Sequence, residues 1–330
     1  MSSFKTLRVY QEDKQTTARL ETMDLDQLSE GAVVIRAAWS GINFKDALAV
    51  TGKGKIMRHF PMNAGIDVAG TVETSEDPRF KPGQEVVVTG CGLGEAHDGG
   101  MAGLVRVPGD WVVNLPGGMS LRDAMAAGTA GFTAAMALLR MEQNGQAPDH
   151  GPILINGATG GVGSFAIRLF SQAGYQVTAL TGKPDAGDYL RRLGASEVLD
   201  ANTLEMGGRP LEKSLWGGAV DSLGGDALAW LTRTVHPWGN IGAVGLAAGI
   251  DLQTTVMPFI LRGVSLLGIN SVQCSADLRL ATWRKLAELL KSEDYADIVQ
   301  GEVGLEGVVE AAEQMLARKS RGRTLVRLDA

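Results

Sequence analysis

Residues 152–182 read Pro-Ile-Leu-Ile-Asn-Gly-Ala-Thr-Gly-Gly-Val-Gly-Ser-Phe-Ala-Ile-Arg-Leu-Phe-Ser-Gln-Ala-Gly-Tyr-Gln-Val-Thr-Ala-Leu-Thr-Gly, and this stretch decides the fold. Ile153 to Ile155 is a short apolar run between Pro152 and a cluster of glycines, the pattern of a buried strand. Gly157, Gly160, Gly161 and Gly163 follow. Val162, Phe165, Ala166, Leu169, Phe170 and Ala173 then recur three and four residues apart, which places them on one face of a helix. Gly174 closes that helix, and Tyr175 to Leu180 reads as the next strand. Strand, glycine turn, helix and strand in this order make half of a dinucleotide-binding fold.

Glycines let the backbone approach a pyrophosphate closely, and a helix opening near Thr159 aims N–H groups and the positive end of its dipole at the phosphates. The spacing is G-x-x-G-x-x-G rather than the commoner G-x-G-x-x-G. The second strand ends in Thr181-Gly182-Lys183. A site that prefers NAD places an acid about 20 residues past the glycines to hold the ribose 2′-hydroxyl. No acid stands here until Asp185. A hydroxyl and a lysine suit a 2′-phosphate instead, so NADPH is the expected cofactor. A solvated surface lysine explains Lys183 alone equally well; the missing acid is the stronger half of the argument.

Working outward, 330 residues suggest about two domains. Apolar residues are 45 % and charged residues 21 %, the balance of a globular protein. A net charge of −6 argues against broad binding to nucleic acid or to an anionic membrane. No apolar run reads as a membrane span. The opening Met-Ser-Ser-Phe-Lys-Thr-Leu-Arg-Val has no long apolar region, so a cytoplasmic protein is expected. Cys91 and Cys274 form no C-x-x-C pair, which disfavours a disulfide framework and a structural zinc cage. Cys91 sits in Gly90-Cys91-Gly92-Leu93-Gly94, where nothing marks it as a nucleophile.

Up to about residue 115 the chain reads as short strands with close turns. Candidates are 4–10, 32–37, 68–74, 85–89, 103–108 and 111–114, with turns at Pro82-Gly83, Gly99-Gly100 and Pro108-Gly109-Asp110. That is the texture of a small β-barrel-like domain. Ser120 with Asp123 three residues on is a helix entry, and Ala124 to Arg140 reads as helix. Strands at 152–156, 175–180, 196–199, 218–222, 240–245 and 264–269 then alternate with helices, which implies a doubly wound parallel sheet. Helix patterns cover 277–292 and 307–318. A last strand at 324–328 is expected to return to the first domain. The expected fold is therefore α/β, with domains at 1–122 and 123–270 and a return over 271–330.

Several stretches are more specific than the glycine turn: Asn43-Phe-Lys-Asp-Ala-Leu48, Thr51-Gly-Lys-Gly-Lys55, Pro61-Met-Asn-Ala-Gly-Ile-Asp-Val-Ala-Gly-Thr71, Gly128-Thr-Ala-Gly-Phe-Thr133 and Thr255-Val-Met-Pro-Phe-Ile-Leu-Arg262. With the order of parts, they make the chain resemble the medium-chain dehydrogenase/reductase superfamily along essentially its whole length. Within it they look like the zinc-free branch of quinone oxidoreductases, and there the NADPH-dependent acryloyl-CoA reductase group. The resemblance implies a GroES-like catalytic domain and a Rossmann cofactor domain. Zinc ligands of the superfamily are replaced here: position 40 is Ser and positions 65–67 are Gly-Ile-Asp. The four histidines, His59, His97, His150 and His236, have no ligand spacing. No metal is expected.

The reaction the resemblance implies is NADPH + H⁺ + acryloyl-CoA → NADP⁺ + propanoyl-CoA, with a homodimer as the working form. The alternatives are reduction of quinones or general enals, and a non-catalytic NADPH-binding protein. Asn43 and Asp67 are the implied catalytic residues: the amide to donate to an oxyanion or fix the nicotinamide, the acid to orient Asn43, hold a water or relay a proton. A turn residue and a buried structural acid are the plain alternatives. Phe44 stands where the group usually has Tyr, so it can wall the pocket but has no hydroxyl. Of Lys45 and Asp46, adjacent on a helix, at most one is expected to point inward. The resemblance carries Thr159, Gly160, Gly161 and Val162 to the pyrophosphate, and Thr181, Gly182 and Lys183 to the adenosine phosphate. It carries Leu246, Ile260 and Ser271 to the nicotinamide half, and Arg323 to a further cofactor contact. Core packing is an equal reading of the apolar ones. Lys53, Lys55, Arg58 and His59, and Lys319, Arg321 and Arg323, are candidate partners for the phosphates of coenzyme A.

Overall fold

The computed structural model describes residues 3–328. The chain divides into two units. Unit 1 takes the residues up to Thr129, Val272–Leu280 and the chain from Lys291 on; unit 2 takes Ala130–Ser271 and Ala281–Leu290.

Unit 1 is mostly antiparallel. Strands β1 (Phe4–Glu12) and β2 (Gln15–Met23) form a hairpin whose two turn residues, Asp13 and Lys14, both take positive φ. Positive φ at both central positions is what a right-twisted two-residue hairpin requires. The strand β2 is absent from the sequence reading because its half-exposed Gln-Thr-Thr-Ala-Arg run lacks a continuous apolar face. Next come β3 (Val33–Gly41), helix α1 (Phe44–Thr51), β4 (Met62–Asn63), β5 (Asp67–Ser75), β6 (Glu85–Thr89), β7 (Leu104–Val107) and β8 (Val113–Asn114). Val33, Ile35, Val68, Val86, Val88 and Val107 are buried almost completely and fill the interior between these strands. Burying one such side chain contributes about 1.5–3 kcal/mol.

Helix α2 (Leu121–Gln143) opens as the Ser120/Asp123 pattern predicts. The Ser120 hydroxyl accepts the Asp123 N–H at 3.1 Å, and the Asp123 carboxylate accepts the Ser120 N–H at 3.3 Å. The helix breaks at Gly128, whose φ of 48° and ψ of −154° are not helical. By length and mean hydropathy α2 qualifies as a membrane span, contrary to the sequence expectation, but 83 % of that window is buried inside the protein. An Ala-, Met- and Leu-rich core helix has the same composition as a short span, and burial distinguishes them.

Unit 2 is a six-stranded parallel sheet. Strands β9 (Ile153–Ile155), β10 (Val177–Thr181), β11 (Glu197–Asp200), β12 (Trp216–Asp221), β13 (Val235–Ala243) and β14 (Ser265–Gly268) lie in the order β11-β10-β9-β12-β13-β14. The order reverses at β9, so β10 and β12 flank the strand that feeds helix α3 (Gly161–Gln172). In such sheets ligands bind at the carboxyl ends of the strands beside that reversal. The expected α/β class, with its doubly wound sheet, is what forms.

The C-terminal region supplies β15 (Val299–Val303) and β16 (Arg323–Arg327) to unit 1. The strand β16 pairs antiparallel with β3, and the sheet runs β15-β16-β3-β5-β6-β8 with β7 also on β3. The helix pattern at 277–292 resolves into two helices, Ala276–Leu289 and Ser292–Ile298.

Candidate active site

The sharpest polar feature of unit 1 is a buried cluster where β3, α1, β5, α2 and β16 meet. Asn43 precedes the first turn of α1, and the Asp46 carboxylate reaches back to accept its N–H at 2.8 Å. The Asn43 amide is used at every atom. Its Nδ2 donates to Asp46 at 3.1 Å and to Asp67 at 2.8 Å, and its Oδ1 accepts from Arg323 at 2.8 Å. Asp67, the fully buried first residue of β5, also accepts the N–H of Thr129 at 2.8 Å and its hydroxyl at 2.5 Å.

Arg323, expected at the cofactor or at a substrate phosphate, is only 2 % exposed. Its guanidinium donates to the carbonyls of Ile42 and Ala126, at 2.8 and 3.1 Å, besides Asn43. It stands 3.8 Å from the Asp67 carboxylate. These bonds occupy the side chain inside the protein. A cation at this depth is tolerable because it is paired and hydrogen-bonded.

Asp46 and Thr129 complete the cluster, and sequence reasoning gives neither a role. The signal is present: a carboxyl at the third helical position after Asn43 is a reciprocal cap. Of the adjacent pair, Asp46 points into the cluster, while Lys45 pairs with Glu95 at 2.6 Å. Burial pushes the Asp46 carboxyl up to about 7, and the charge of Asp67 adds to that. The N–H donors from Asn43 and Ile66 hold it down. Burial likewise lowers the Arg323 guanidinium from its ordinary value, against the pull of Asp67 and Asp46. Phe44 lies beside the cluster with 48 % of its surface exposed, so it is not part of the core.

In unit 2, Gly160 precedes α3 in extended conformation and contributes no side-chain cap, so the N–H groups of Gly161, Val162 and Gly163 open the helix. The turn is shaped for close approach: a Cβ at Gly163 would stand 2.4 Å from the carbonyl oxygen of Gly157. Beside it, Ser222 Oγ is buried without a hydrogen-bond partner. Asn156 joins the ends of β9 and β12, donating to the Asp221 carboxylate and accepting the N–H of Ser222 at 2.7 Å. Burial raises the Asp221 carboxyl above its ordinary value. Thr159 and Thr181 are buried, and the Thr181 hydroxyl accepts the N–H of Lys183 at 3.1 Å. Gly182 is exposed and Lys183 half-buried. On the neighbouring strand, the Asp200 carboxylate beside the tip of β10 is bonded by the N–H and the amide of Asn202. Leu246 and Ile260 are 63 % and 72 % exposed, which excludes core packing for both; Ser271 is half-buried.

A glycine cradle, an orphaned hydroxyl and a strand tip whose neighbouring acid is already bonded fit a dinucleotide that bears a 2′-phosphate. The cluster around Asp67 does not fit zinc. Its carboxylate is bonded to an amide, a threonine and a guanidinium, and none of these is an imidazole or a thiolate. Among the described residues no group of three or more His, Cys, Asp or Glu could hold a metal ion.

Residues 29–117 match the alcohol dehydrogenase GroES-like domain, and residues 161–292 match the zinc-binding dehydrogenase domain. The probable acrylyl-CoA reductase AcuI of Escherichia coli is 46 % identical, over 98 % of this chain and all of that one. The chain belongs to the medium-chain dehydrogenase/reductase superfamily, in its quinone-oxidoreductase-like group. The putative quinone oxidoreductase YhfP of Bacillus subtilis is 44 % identical over 98 % of this chain and 99 % of its own. Its crystal structure with NAD bound has a TM-score of 0.96, covering 99 % of this chain and all of that one at 43 % identity. The YhdH oxidoreductase of Salmonella enterica, solved with NADP, is 45 % identical. It covers 98 % of this chain and all of its own, at a TM-score of 0.96. Membership of a superfamily one of whose domain models is named for zinc therefore coexists here with a ligand set unsuited to it.

Proposed function

We propose that this chain reduces the conjugated C=C bond of acryloyl-CoA: NADPH + H⁺ + acryloyl-CoA → NADP⁺ + propanoyl-CoA. The observation that carries the reading is the similarity, along nearly the full length, to an acrylyl-CoA reductase. The NADP-bound relative from Salmonella enterica supports the cofactor.

The residues of unit 2 hold the cofactor in this reading. The N–H groups of Gly161 and Val162, with Thr159 and Gly160, would hold the pyrophosphate, and the unpartnered Ser222 Oγ lies beside that turn. Thr181, Gly182 and Lys183 meet the 2′-phosphate. Leu246, Ile260 and Ser271 flank the nicotinamide half. NADPH held there would supply a hydride for the β-carbon of the acyl group. Negative charge develops on the thioester oxygen, and a proton then reaches the α-carbon.

Asn43 and Asp67 serve this chemistry as positioning residues. Every polar atom of the Asn43 amide is bonded within the cluster, so donation to an enolate oxygen would require breaking a bond of 2.8 or 3.1 Å. The rigid cluster instead fixes Phe44 and Thr129. The exposed Lys53, Lys55, Arg58, His59 and Lys319, with the half-buried Arg321, are the partners assigned to the phosphates of coenzyme A. Arg323 leaves that set because it is buried.

A homodimer belongs to the same reading. The strand β14 ends the sheet of unit 2, and Trp238, Ile250, Val256 and Leu261 are exposed in the segment before it. Sedimentation would check it, with a single-chain mass contradicting it.

The test of the activity follows NADPH oxidation with acryloyl-CoA, free acrylate and a benzoquinone. The reading expects turnover with acryloyl-CoA and little with the other two. Turnover mainly with the quinone would move the chain to the activity for which its Bacillus subtilis relative is named.

A further inference from the structure

The two cysteines of the chain lie on two loops of unit 1 that one buried arginine joins. Arg279 is 4 % exposed. Its Nη1 donates to the Thr89 carbonyl at 2.8 Å, and its Nη2 to the Val272 carbonyl at 3.1 Å. The same Val272 carbonyl accepts the N–H of Cys91 at 3.3 Å. Cys91 is held there with φ at 58°, in a region that residues with a side chain occupy only when their surroundings impose it.

Cys274 stands two residues beyond Val272, at most about 7 Å of chain from the carbonyl that Cys91 touches. A disulfide needs a Cα separation of roughly 4.4–6.8 Å, so the two loops must close on each other for the sulfurs to bond. Both thiols are unpaired and partly exposed. Burial raises both above the ordinary thiol value, and the Arg279 guanidinium pulls both down. Ionisation of Cys274 pushes Cys91 up further. The two sulfurs and the guanidinium therefore share one neighbourhood.

We propose that Cys91 and Cys274 form a dithiol site for hydrogen peroxide, which closes to an intramolecular disulfide tying the 89–94 loop to the 272–275 loop. In the first step one thiolate attacks peroxide. The O–O bond breaks, an S–O bond forms, and the released hydroxide takes a proton to become water. In the second step the other thiol attacks the sulfenic sulfur. The S–S bond forms, the S–O bond breaks, and the hydroxyl leaves as a second water. The sulfurs lose two electrons and the peroxide gains them. A thiol reductant reverses the product, which suits a reducing compartment. The site does not depend on the proposed reductase activity.

The test treats the reduced protein with hydrogen peroxide, alkylates the remaining thiols and maps peptides without reduction. The expected result is loss of both free thiols, one internal peptide pair joining Cys91 to Cys274, and recovery of both thiols with dithiothreitol. In Cys274→Ser the oxidised Cys91 is trapped by dimedone as a sulfenic acid; Cys91→Ser is the reciprocal variant. Should Cys91→Ser fail to fold, Cys274→Ser and the wild-type map carry the test. Thiols left free by peroxide, links only between different chains, or irreversible oxidation of each cysteine regardless of the other would overturn the proposal.

Discussion

Arg323 and Asp67 stand 3.8 Å apart at the break in α2, and each charge faces the helix end that it suits. The break leaves carbonyls of the first segment without helical partners, and the Arg323 guanidinium donates to that of Ala126. It leaves N–H groups of the second segment unpaired, and the Asp67 carboxylate takes that of Thr129. A cation at a helix C-terminus and an anion at an N-terminus both oppose the local dipole. The pair thus satisfies a buried break that would otherwise be costly.

The losses from removing the two members should therefore not add. Arg323→Met leaves Asp67 without its cation and is expected to cost about 3–5 kcal/mol of stability. Combined with Asp67→Asn, the loss should fall short of the sum by about 1–3 kcal/mol. Urea denaturation of the two single variants and the double variant reads the cycle. Additive losses would contradict the coupling.

Gly128 is the residue that makes the break possible. Its φ is 48°, and a Cβ there would stand 2.6 Å from an Asp67 oxygen and 2.7 Å from an Arg323 nitrogen. Gly128→Ala should destabilise by about 3 kcal/mol or more, from strain and overpacking together. Gly117→Ala, where a Cβ meets nothing within 4 Å, is the matched control and should be nearly neutral. Thermal unfolding of the two variants gives the comparison.

Asp46 gives the cluster a pH dependence with a definite sign. Its carboxyl is raised by burial to about 7 from an ordinary value of 3.8, so the folded protein holds this proton more tightly than the unfolded chain does. Its contribution to stability is complete below the ordinary value and is lost as pH rises through 7. Asp46→Asn removes that dependence. Relative to the variant, the wild type should lose stability between pH 5 and pH 8, measured as the difference in Tm. A constant difference across that range would contradict the assignment.

Lys183→Glu tests the reading of the β10 tip. A charged hydrogen bond to phosphate contributes about 1.5–3 kcal/mol, so KM for NADPH should rise by about 10- to 100-fold. The KM for NADH should not rise, and kcat should change little. Equal effects on both cofactors would place the 2′-phosphate elsewhere.

The parallel sheet is legible in the sequence because its strands are continuous apolar runs and its turns are glycines, as at Ile153–Ile155 and Gly157. The capping pair Ser120/Asp123 is legible because both partners are close in sequence. The strand β2 is not, since half of its residues face solvent. The role of Arg323 is hidden for a different reason. Its partners Ile42, Asn43 and Ala126 lie about 200 residues or more away in sequence, and no local pattern records that β16 returns beside β3. The full engagement of Asn43 is hidden likewise, because Asp46 is near in sequence but Asp67 and Arg323 are not.

The central claim is hydride transfer from NADPH to the β-carbon of acryloyl-CoA. The most direct measurement supplies NADPH deuterated at the transferable C4 position and locates the label in the product by NMR. The account predicts propanoyl-CoA with deuterium on the β-carbon and a solvent-derived proton on the α-carbon. Deuterium on the α-carbon, or oxidation of NADPH with no propanoyl-CoA formed, would contradict it.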